Sequence, residues 1–201
     1  MARPRAQRNE FDADYYRRFY GDAKTRVTSP TSMQKLGAFV CAYLGFLDLR
    51  VREVVDLGCG VGHWQGVIAQ HFPAARYTGV EVSEHMCATH GWTRGSVVDY
   101  RHPRRADLVL CQGVLQYLTD REARTAIANL GTLTRGALYL EALTRLDWEE
   151  NCDQATTDGD VHLRTGAWYR RQLRPHFVSC GGGVFVHRDA NVTLFELEGC
   201  E

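Results

Sequence analysis

The sequence has few lysines and no excess of charge of either sign. Its 201 residues include only Lys24 and Lys35, and its 24 basic and 24 acidic residues give a formal net charge of zero. A balanced charge argues against a nucleic-acid partner, because phosphate contacts need a basic surface. No apolar run approaches the roughly 18 residues of a membrane span. We therefore predict a protein that binds neither nucleic acid nor membrane.

The seven cysteines are scattered, and none forms a C-x-x-C pair. An odd number without paired spacing argues against a disulfide framework and against a zinc site. In a secretory signal a basic segment is followed by an apolar run, and no such run follows the basic segment Met1–Arg8. These features predict reduced thiols, a cytoplasmic protein, and a flexible tail over residues 1–10.

The most informative segment runs from Val54 to Trp64. Gly58, Gly60 and Gly62 follow Asp56 at alternate positions after an apolar run. Glycine lacks Cβ, so the turn can be tight and its backbone can lie against a ligand. The amides of a following helix would face that ligand with the positive end of the helix dipole. A dinucleotide fingerprint would need glycine where His63 stands, and the chain has neither a P-loop lysine nor a serine nucleophile elbow.

This D-x-G-x-G-x-G pattern resembles the cofactor loop of the class I S-adenosylmethionine-dependent methyltransferases. The resemblance covers about residues 50–200. It implies an α/β fold with a doubly wound, Rossmann-like sheet of seven strands, mostly parallel, with a C-terminal antiparallel hairpin and helices on both faces. Continuously apolar strands that alternate with helices independently favour a parallel sheet covered on both faces.

The predicted elements follow the apolar periodicity and the helix caps. Strands are expected at 51–57, 76–82, 95–100, 107–112 and 137–143, and the antiparallel pair at 177–187 and 191–198. Helices are expected at 11–20, 31–47, 64–72, 83–90, 119–133 and 165–174. Gly181–Gly183 precede a strand rather than a helix, so a bulge or hairpin start is favoured over a phosphate loop. We divide the chain into an N-terminal helical cap at 11–48 and a methyltransferase domain at 49–201.

Open α/β sheets bind ligands at the carboxyl ends of their strands. Glu81 lies 23 residues after Gly58, near the offset of about 20 expected for an acid that holds a ribose diol. On that reading its removal weakens cofactor binding and leaves the stability of the free protein almost unchanged. The alternative is a solvated acid before a helix. The resemblance also implies that Asp99 accepts from the adenine amino group beside Val98; the alternative is a loop acid.

The fourth predicted strand resembles the segment that runs beneath the methionine part of the cofactor. Cys111 and Gln112 would place carbonyls near the sulfonium and ammonium, and Gln116 and Tyr117 start the next turn and could face the methyl group. Tyr16 and Arg26 are candidates for the cofactor carboxylate, although an aromatic stripe used only for packing is the alternative there. The predicted cofactor contacts are Tyr16, Arg26, Asp56, Gly58, Gly60, Glu81, Val82, Val98, Asp99, Cys111, Gln112 and Gln116.

A long excursion at 141–164 follows the fifth predicted strand and is rich in acids, with Trp148 among them. Structureless segments of this length are usually functional, so we predict a lid over the acceptor. His162, Glu141 and Asp160 are candidate general bases. Asp158, Asp160 and His162 could also ligate a cation, but a solvated acidic loop is favoured and no metal is predicted.

These patterns predict an S-adenosylmethionine-dependent methyltransferase that acts on a small molecule by in-line methyl transfer and releases S-adenosylhomocysteine. A small acceptor is preferred because the charge is balanced and neither a basic domain nor a docking module is appended. The alternatives are a non-catalytic or regulatory S-adenosylmethionine-binding protein and a methyltransferase that acts on protein or RNA. The sequence carries no signal for an oligomeric state.

Overall fold

A computed structural model describes residues 11–22, 25–26 and 28–196; the predicted tail at 1–10 lies outside them. The helices are α1 (Ala13–Tyr16, continued by a π-helical turn at Arg17–Gly21), α2 (Pro30–Phe46), α3 (His63–His71), α4 (Glu84–His90), α5 (Asp120–Leu133) and α6 (Gly166–Leu173). The strands are β1 (Glu53–Leu57), β2 (Arg76–Glu81), β3 (Thr93–Arg94), β4 (Ala106–Gln112), β5 (Thr134–Glu141), β6 (Phe177–Ser179) and β7 (Val184–His187). Short 3-10 and π-helical turns lie at Leu115–Tyr117 and Asp147–Asn151.

The seven strands form one sheet in the order β3-β2-β1-β4-β5-β7-β6. Strands β1 to β5 pair in parallel, whereas β7 is antiparallel to both β5 and β6. The predicted seven-stranded fold with its C-terminal hairpin is confirmed. The order reverses between β1 and β4, where Asp56 lies opposite Gly79 of β2 and Leu110 of β4. A doubly wound sheet binds its ligand at this switch point.

The core occupies both faces of the sheet because successive residues of a strand point in opposite directions. Val55 and Val109 pack with Ile127 of α5 on one face. On the other face, Val54 and Leu108 join a cluster that contains Val40 and Leu44 of α2. Helix α2 is thus part of the sheet's core, and the domain boundary predicted at residue 49 falls within one packed unit. No helix among the described residues is long and apolar enough to cross a membrane.

Two predicted strands lie elsewhere in the structure. The third strand is Thr93–Arg94, not 95–100, and residues 97–99 form a turn. The Asn129 side-chain amide holds that turn by donating to the carbonyls of Val97 and Tyr100 at 3.0 Å each. Backbone groups that bond a side chain in this way are not available to a strand ladder.

The C-terminal hairpin lies within 177–187, so its second strand was predicted too late in the chain. Gly181, Gly182 and Gly183 all have positive φ, at 82°, 57° and 78°. Glycine adopts this left-handed conformation without steric cost, and the chain reverses there. The described part of the predicted last strand, residues 191–196, contains no strand.

The predicted caps of α4 and α5 are present. Ser83 Oγ accepts from the Met86 amide, and Thr119 and Glu122 form a reciprocal capping box at the start of α5. We expect Thr119→Ala to lower the free energy of unfolding by about 1 kcal/mol and the melting temperature by roughly 2–4 °C. Thermal unfolding followed by circular dichroism checks this. An unchanged melting temperature would show that the cap does not contribute to stability.

Candidate functional site

A pocket opens at the carboxyl ends of β1, β2 and β4. Its walls include Gly58, Gly60, Glu81 and Gln112, and aromatic side chains from residues 11–20 cover one side. The pocket lies at the switch point of the sheet, where the sequence predicted the ligand.

The loop between β1 and α3 forms the floor of the pocket. Gly58, Gly60 and Gly62 have positive φ values of 77°, 49° and 78°. A Cβ built on Gly58 would lie 2.3 Å from Val114 Cγ2. The amides of Gly58 and Cys59 both donate to the Val80 carbonyl, at 2.8 and 3.2 Å, which ties the loop to β2. The first glycine is therefore required both for its backbone conformation and for the space it leaves.

Glu81 holds the end of β2 to this loop. Its side chain is buried. Oε2 accepts from the Gly60 amide at 2.9 Å, and Oε1 accepts from the amides of Val82 and Ser83 at 2.7 and 3.0 Å. The carboxylate thus does two things: it organises the backbone of the pocket floor, and it places a charged acceptor in the pocket wall.

Asp56, a predicted cofactor contact, lies within the sheet and not among the residues that line the described pocket. It is 1% exposed and accepts from the Tyr77 hydroxyl at 2.5 Å. Burial raises the pKa of the Asp56 carboxyl to about 7, although the Tyr77 hydrogen bond lowers it and nearby Glu81 raises it further. Its contacts are structural.

Asp56 makes stability depend on pH. Because its pKa is raised in the folded protein, the folded chain keeps a proton that the unfolded chain releases above about pH 4. The free energy of unfolding should fall between about pH 4 and pH 7, by at most ~1.4 kcal/mol per pH unit. Asp56→Asn cannot titrate but can still accept from Tyr77, so its urea-unfolding profile should be flatter than that of the wild type. Parallel profiles would contradict the assignment.

The predicted adenine contacts lie beside the pocket wall. Asp99 is exposed in the turn, and neither it nor Val98 lines the pocket in the described structure. Gly95, Ser96 and Val97 line it instead. The Ser96 hydroxyl accepts from the Val98 amide at 3.2 Å. The predicted segment thus reaches the pocket through the residues just before Val98, and the adenine contacts of Val98 and Asp99 stay predictions.

At the end of β4, Gln112 lines the pocket but Cys111 is fully buried in the core. The Gln112 side chain accepts from Trp64 Nε1 at 2.8 Å and donates to Glu141 Oε2 at 3.1 Å. Gln116 is buried, does not line the pocket, and its side-chain Oε1 has no hydrogen-bond partner among the described residues. The two side chains thus differ: Gln112 lines the pocket and is held by two hydrogen bonds, whereas Gln116 is buried and does not line it.

The N-terminal segment brings more aromatic rings to the pocket than the sequence predicted. Tyr16 lines it as expected, and so do Phe11, Tyr15 and Tyr20. Arg26 is not among the lining residues of the described chain. The Ser83 hydroxyl donates to the Phe11 carbonyl and anchors the segment. Five aromatic residues within positions 11–20 were the available signal, but rings that pack and rings that line a pocket follow the same pattern.

The excursion after β5 is tied to the turn that follows β4. The buried Arg164 guanidinium donates to the carbonyls of Leu115 and Leu118 and pairs with Asp120 at 2.8 Å. The His162 amide donates to the Gln116 carbonyl at 2.7 Å. The C-terminal end of this excursion is therefore held against the turn that carries Tyr117.

None of the three candidate bases, His162, Glu141 and Asp160, is among the described residues that line the pocket. Glu141 contacts a lining residue by accepting from the Gln112 side-chain amide, and it also accepts from the Tyr139 hydroxyl at 3.0 Å. Asp160 is exposed. The described residues contain no cluster of side chains suited to holding a metal ion.

Comparison with known proteins identifies the domain that carries this site. Residues 55–136, which contain the glycine loop, Glu81 and β4, match the family model described as a methyltransferase domain. Over these residues the chain is similar to methyltransferase domains, which agrees with the resemblance of the D-x-G-x-G-x-G loop. No curated protein sequence matches the chain.

Solved structures show that the methyltransferase fold extends beyond the matched segment. Magnesium protoporphyrin IX methyltransferase from Synechocystis, with bound S-adenosylhomocysteine, is 21% identical with a TM-score of 0.62, covering 90% of this chain and 95% of its own. An amino pentose methyltransferase from Micromonospora echinaspora, with bound S-adenosylmethionine, is 18% identical with a TM-score of 0.59, covering 81% and 92%. The plantazolicin methyltransferase is 16% identical with a TM-score of 0.64, covering 82% and 70%.

Proposed function

We propose that this chain is an S-adenosylmethionine-dependent methyltransferase that transfers a methyl group to a small molecule. The observation that carries the proposal is the buried Glu81 carboxylate, bonded to the Gly60 amide in the wall of a pocket at the switch point. Structures of the same fold hold S-adenosylmethionine or S-adenosylhomocysteine at low sequence identity. These proteins are methyltransferases for magnesium protoporphyrin IX, plantazolicin and an amino pentose, which supports a small acceptor.

The residues present fit this cofactor. Among the described residues, Glu81 Oε2 accepts one backbone hydrogen bond, from the Gly60 amide, so a lone pair remains for a ribose hydroxyl. Gly58 and Gly60 bring bare backbone to the pocket floor, and Gly95–Val97 supply a wall for a flat ring. Gln112 would face the methionine portion. We keep Val82 and Tyr16, which also line the pocket, as proposed contacts.

When bound, S-adenosylmethionine supplies an electrophilic methyl group on a sulfonium leaving group. The chain then has to position the acceptor, which is worth up to about 7–11 kcal/mol in ideal intramolecular reactions. It must also exclude water. Phe11, Tyr15 and Tyr16 cover the pocket with apolar ring surface, and these rings exclude water. A general base is needed only for acceptors that carry a proton at the reacting atom, and Glu141 is the candidate whose side chain is hydrogen-bonded to a lining residue, Gln112.

Formation of S-adenosylhomocysteine from S-adenosylmethionine tests the proposal. The protein is incubated with pools of small amines, alcohols, thiols and carboxylates, with short peptides and RNA as separate arms, and the product is quantified by mass spectrometry. We expect turnover with at least one small-molecule pool, and a large loss of turnover in Glu81→Gln when the S-adenosylmethionine concentration is low. Turnover only with peptide or RNA would contradict a small acceptor. Tight cofactor binding without turnover in any arm would favour the regulatory binding protein.

We further propose that the excursion at 141–164 is the acceptor lid. Contacts to Gln116 and Tyr117 place it against a turn of the pocket wall. A lid should be cut readily by trypsin or Glu-C protease in the free protein and become protected when S-adenosylhomocysteine and a turned-over acceptor are both present. Limited proteolysis followed by mass spectrometry measures this. Equal cleavage in every state would show that the excursion does not close over the acceptor.

A further inference from the structure

A chain of three hydrogen-bonded side chains crosses one side of the pocket. The Tyr15 and Tyr117 hydroxyl oxygens are 2.8 Å apart, and the Tyr117 hydroxyl donates to Asp158 Oδ2 at 3.2 Å. Tyr15 comes from α1, Tyr117 from the turn after β4, and Asp158 from the excursion. Both tyrosines line the pocket, and Asp158 lies behind Tyr117. Three segments that are far apart in the sequence thus form one polar surface.

The direction of these hydrogen bonds is determined by the carboxylate. An ionised carboxylate only accepts, and a phenol has a single proton to give. The Tyr117 proton therefore goes to Asp158, and Tyr15 must donate to the Tyr117 oxygen. Burial is the main reason that the pKa values of both tyrosines are raised, so both phenols keep their protons. The lone pairs left on the two hydroxyl oxygens are acceptors, and the protons of these two hydroxyls are already donated within the chain.

The charged and aromatic groups around the pocket also favour a ligand that donates hydrogen bonds and carries positive charge. Burial and the nearby carboxylates Glu81, Glu141 and Asp158 raise the pKa of Tyr20 to about 12. No lysine, arginine or histidine is among the residues that line the pocket in the described chain. The Phe11 ring packs edge-on against the rings of Tyr15 and Tyr117, with centroids 5.0 and 5.2 Å apart. Negative charge and aromatic faces together attract cations.

We propose that the Tyr15–Tyr117–Asp158 chain binds a protonated amine, and that the methyl acceptor is an amine. This inference rests on the proposed function and names its substrate class. An ammonium group would donate to the two phenol oxygens, lie near the Asp158 charge and contact the aromatic rings. Before methyl transfer the bound amine would give one proton to the Tyr117 oxygen while the Tyr117 proton passes to Asp158. The nitrogen lone pair that this frees would form the bond to the methyl carbon, and the electron pair of the broken carbon–sulfur bond would stay on sulfur. A carboxylate or phosphate would meet acceptors and negative charge instead. An alcohol can donate one hydrogen bond, but it is uncharged and is not attracted by the Asp158 carboxylate.

Three probes of nearly equal shape separate these classes: benzylammonium, benzyl alcohol and benzoate. Each is titrated into the full chain by ligand-observed NMR, once in the free protein and once with S-adenosylhomocysteine at saturation. We expect benzylammonium to bind at least about tenfold more tightly than benzyl alcohol, a difference of ~1.4 kcal/mol, and benzoate not to saturate. Benzoate binding as tightly as benzylammonium, or no binding of any probe, would overturn the inference.

Variants then test whether the chain itself is responsible. Asp158→Asn and Tyr117→Phe should each weaken benzylammonium at least about fivefold, ~1 kcal/mol. Glu150→Gln is the control because Glu150 is an exposed acid of the same excursion and its replacement changes the net charge by the same amount. If Tyr117→Phe fails to fold, Tyr15→Phe, which leaves the Tyr117–Asp158 bond in place, should still weaken the probe. Unchanged affinity in Asp158→Asn would overturn the inference.

The same variants separate the acceptor from the cofactor, whose methionine part also carries an ammonium group. If Asp158→Asn weakens S-adenosylhomocysteine as much as it weakens benzylammonium, the chain binds the cofactor and the inference is wrong. If wild-type protein does not bind S-adenosylhomocysteine at all, the proposed function is wrong. The titrations of the free protein then still decide whether this surface selects amines.

Discussion

Replacing Gly58 with alanine is expected to reduce the affinity for S-adenosylhomocysteine at least about tenfold and to destabilise the protein. Alanine at a φ of 77° costs ~1–2 kcal/mol. Its Cβ would also lie 2.3 Å from Val114 Cγ2, and overpacking of this kind costs ~1–3 kcal/mol. The loop or Val114 must then move, and both line the pocket. We expect the free energy of unfolding to fall by about 3 kcal/mol in total.

Gly66→Ala is the matched control for this substitution. Gly66 lies in α3, has nothing within 4 Å of its built Cβ, and does not have positive φ. Alanine there should stabilise the helix by roughly 0.5–1 kcal/mol without changing ligand affinity. Calorimetry and urea unfolding on both variants give the comparison. Wild-type affinity in Gly58→Ala would mean that the glycine loop is not part of the binding site.

Glu81→Gln is expected to lower the affinity for S-adenosylhomocysteine at least about 100-fold, because charge-assisted hydrogen bonds contribute ~1.5–3 kcal/mol each. It should also destabilise the free protein. The two carboxylate oxygens accept from backbone amides on opposite sides. In either orientation, a glutamine side chain therefore turns its NH₂ group toward a backbone N–H. One buried donor left without a partner costs ~1–3 kcal/mol.

Glu84→Gln is the control because Glu84 has the same charge, lies three residues away and is 82% exposed. Its pairing with Arg94 is at the surface, where ion pairs contribute little, so neither stability nor affinity should change. The variants are compared by calorimetry with S-adenosylhomocysteine and by urea unfolding without it. If Glu81→Gln binds the ligand like the wild type, Glu81 serves only the fold.

The expected stability loss in Glu81→Gln differs from the sequence-based expectation. From the sequence, Glu81 was an acid facing a ribose, and its removal was expected to leave the free protein intact. The spacing from Gly58 located the residue correctly at the end of β2. It could not reveal that the carboxylate also closes three hydrogen bonds to the loop and to the start of α4, because those contacts depend on how β1 and β2 pair.

Local signals predicted most of the fold. Apolar strands, the Ser83 and Thr119 caps and the glycine loop each act within a few residues, and they lie where they were expected. The third strand and the C-terminal hairpin were misplaced. The Asn129 amide that holds the 97–100 turn comes from α5, 32 residues after Val97. Three left-handed glycines reverse the chain at Gly181–Gly183, inside a segment whose composition favours a strand.

The sequence predicted the pocket-lining residues that lie in or next to the glycine loop and the strand ends. It did not predict contacts between side chains that come from distant segments. Gly58, Gly60, Val82 and Gln112 line the pocket as expected. Asp99, Arg26 and the three candidate bases do not line it. The Tyr15–Tyr117 contact joins residues 102 positions apart. Aromatic residues in an amphipathic segment give the same periodicity whether they fill a core or cover a ligand, so only the structure distinguishes the two.

The central claim is that this pocket binds S-adenosylmethionine and its product. Isothermal titration calorimetry of the wild-type chain with S-adenosylhomocysteine tests it most directly, with NAD and ATP as competing ligands of the same size class. We predict one site per chain with micromolar affinity, roughly −8 kcal/mol, and no binding of NAD or ATP in that range. An absence of heat with S-adenosylhomocysteine, together with saturable binding of NAD or ATP, would contradict it.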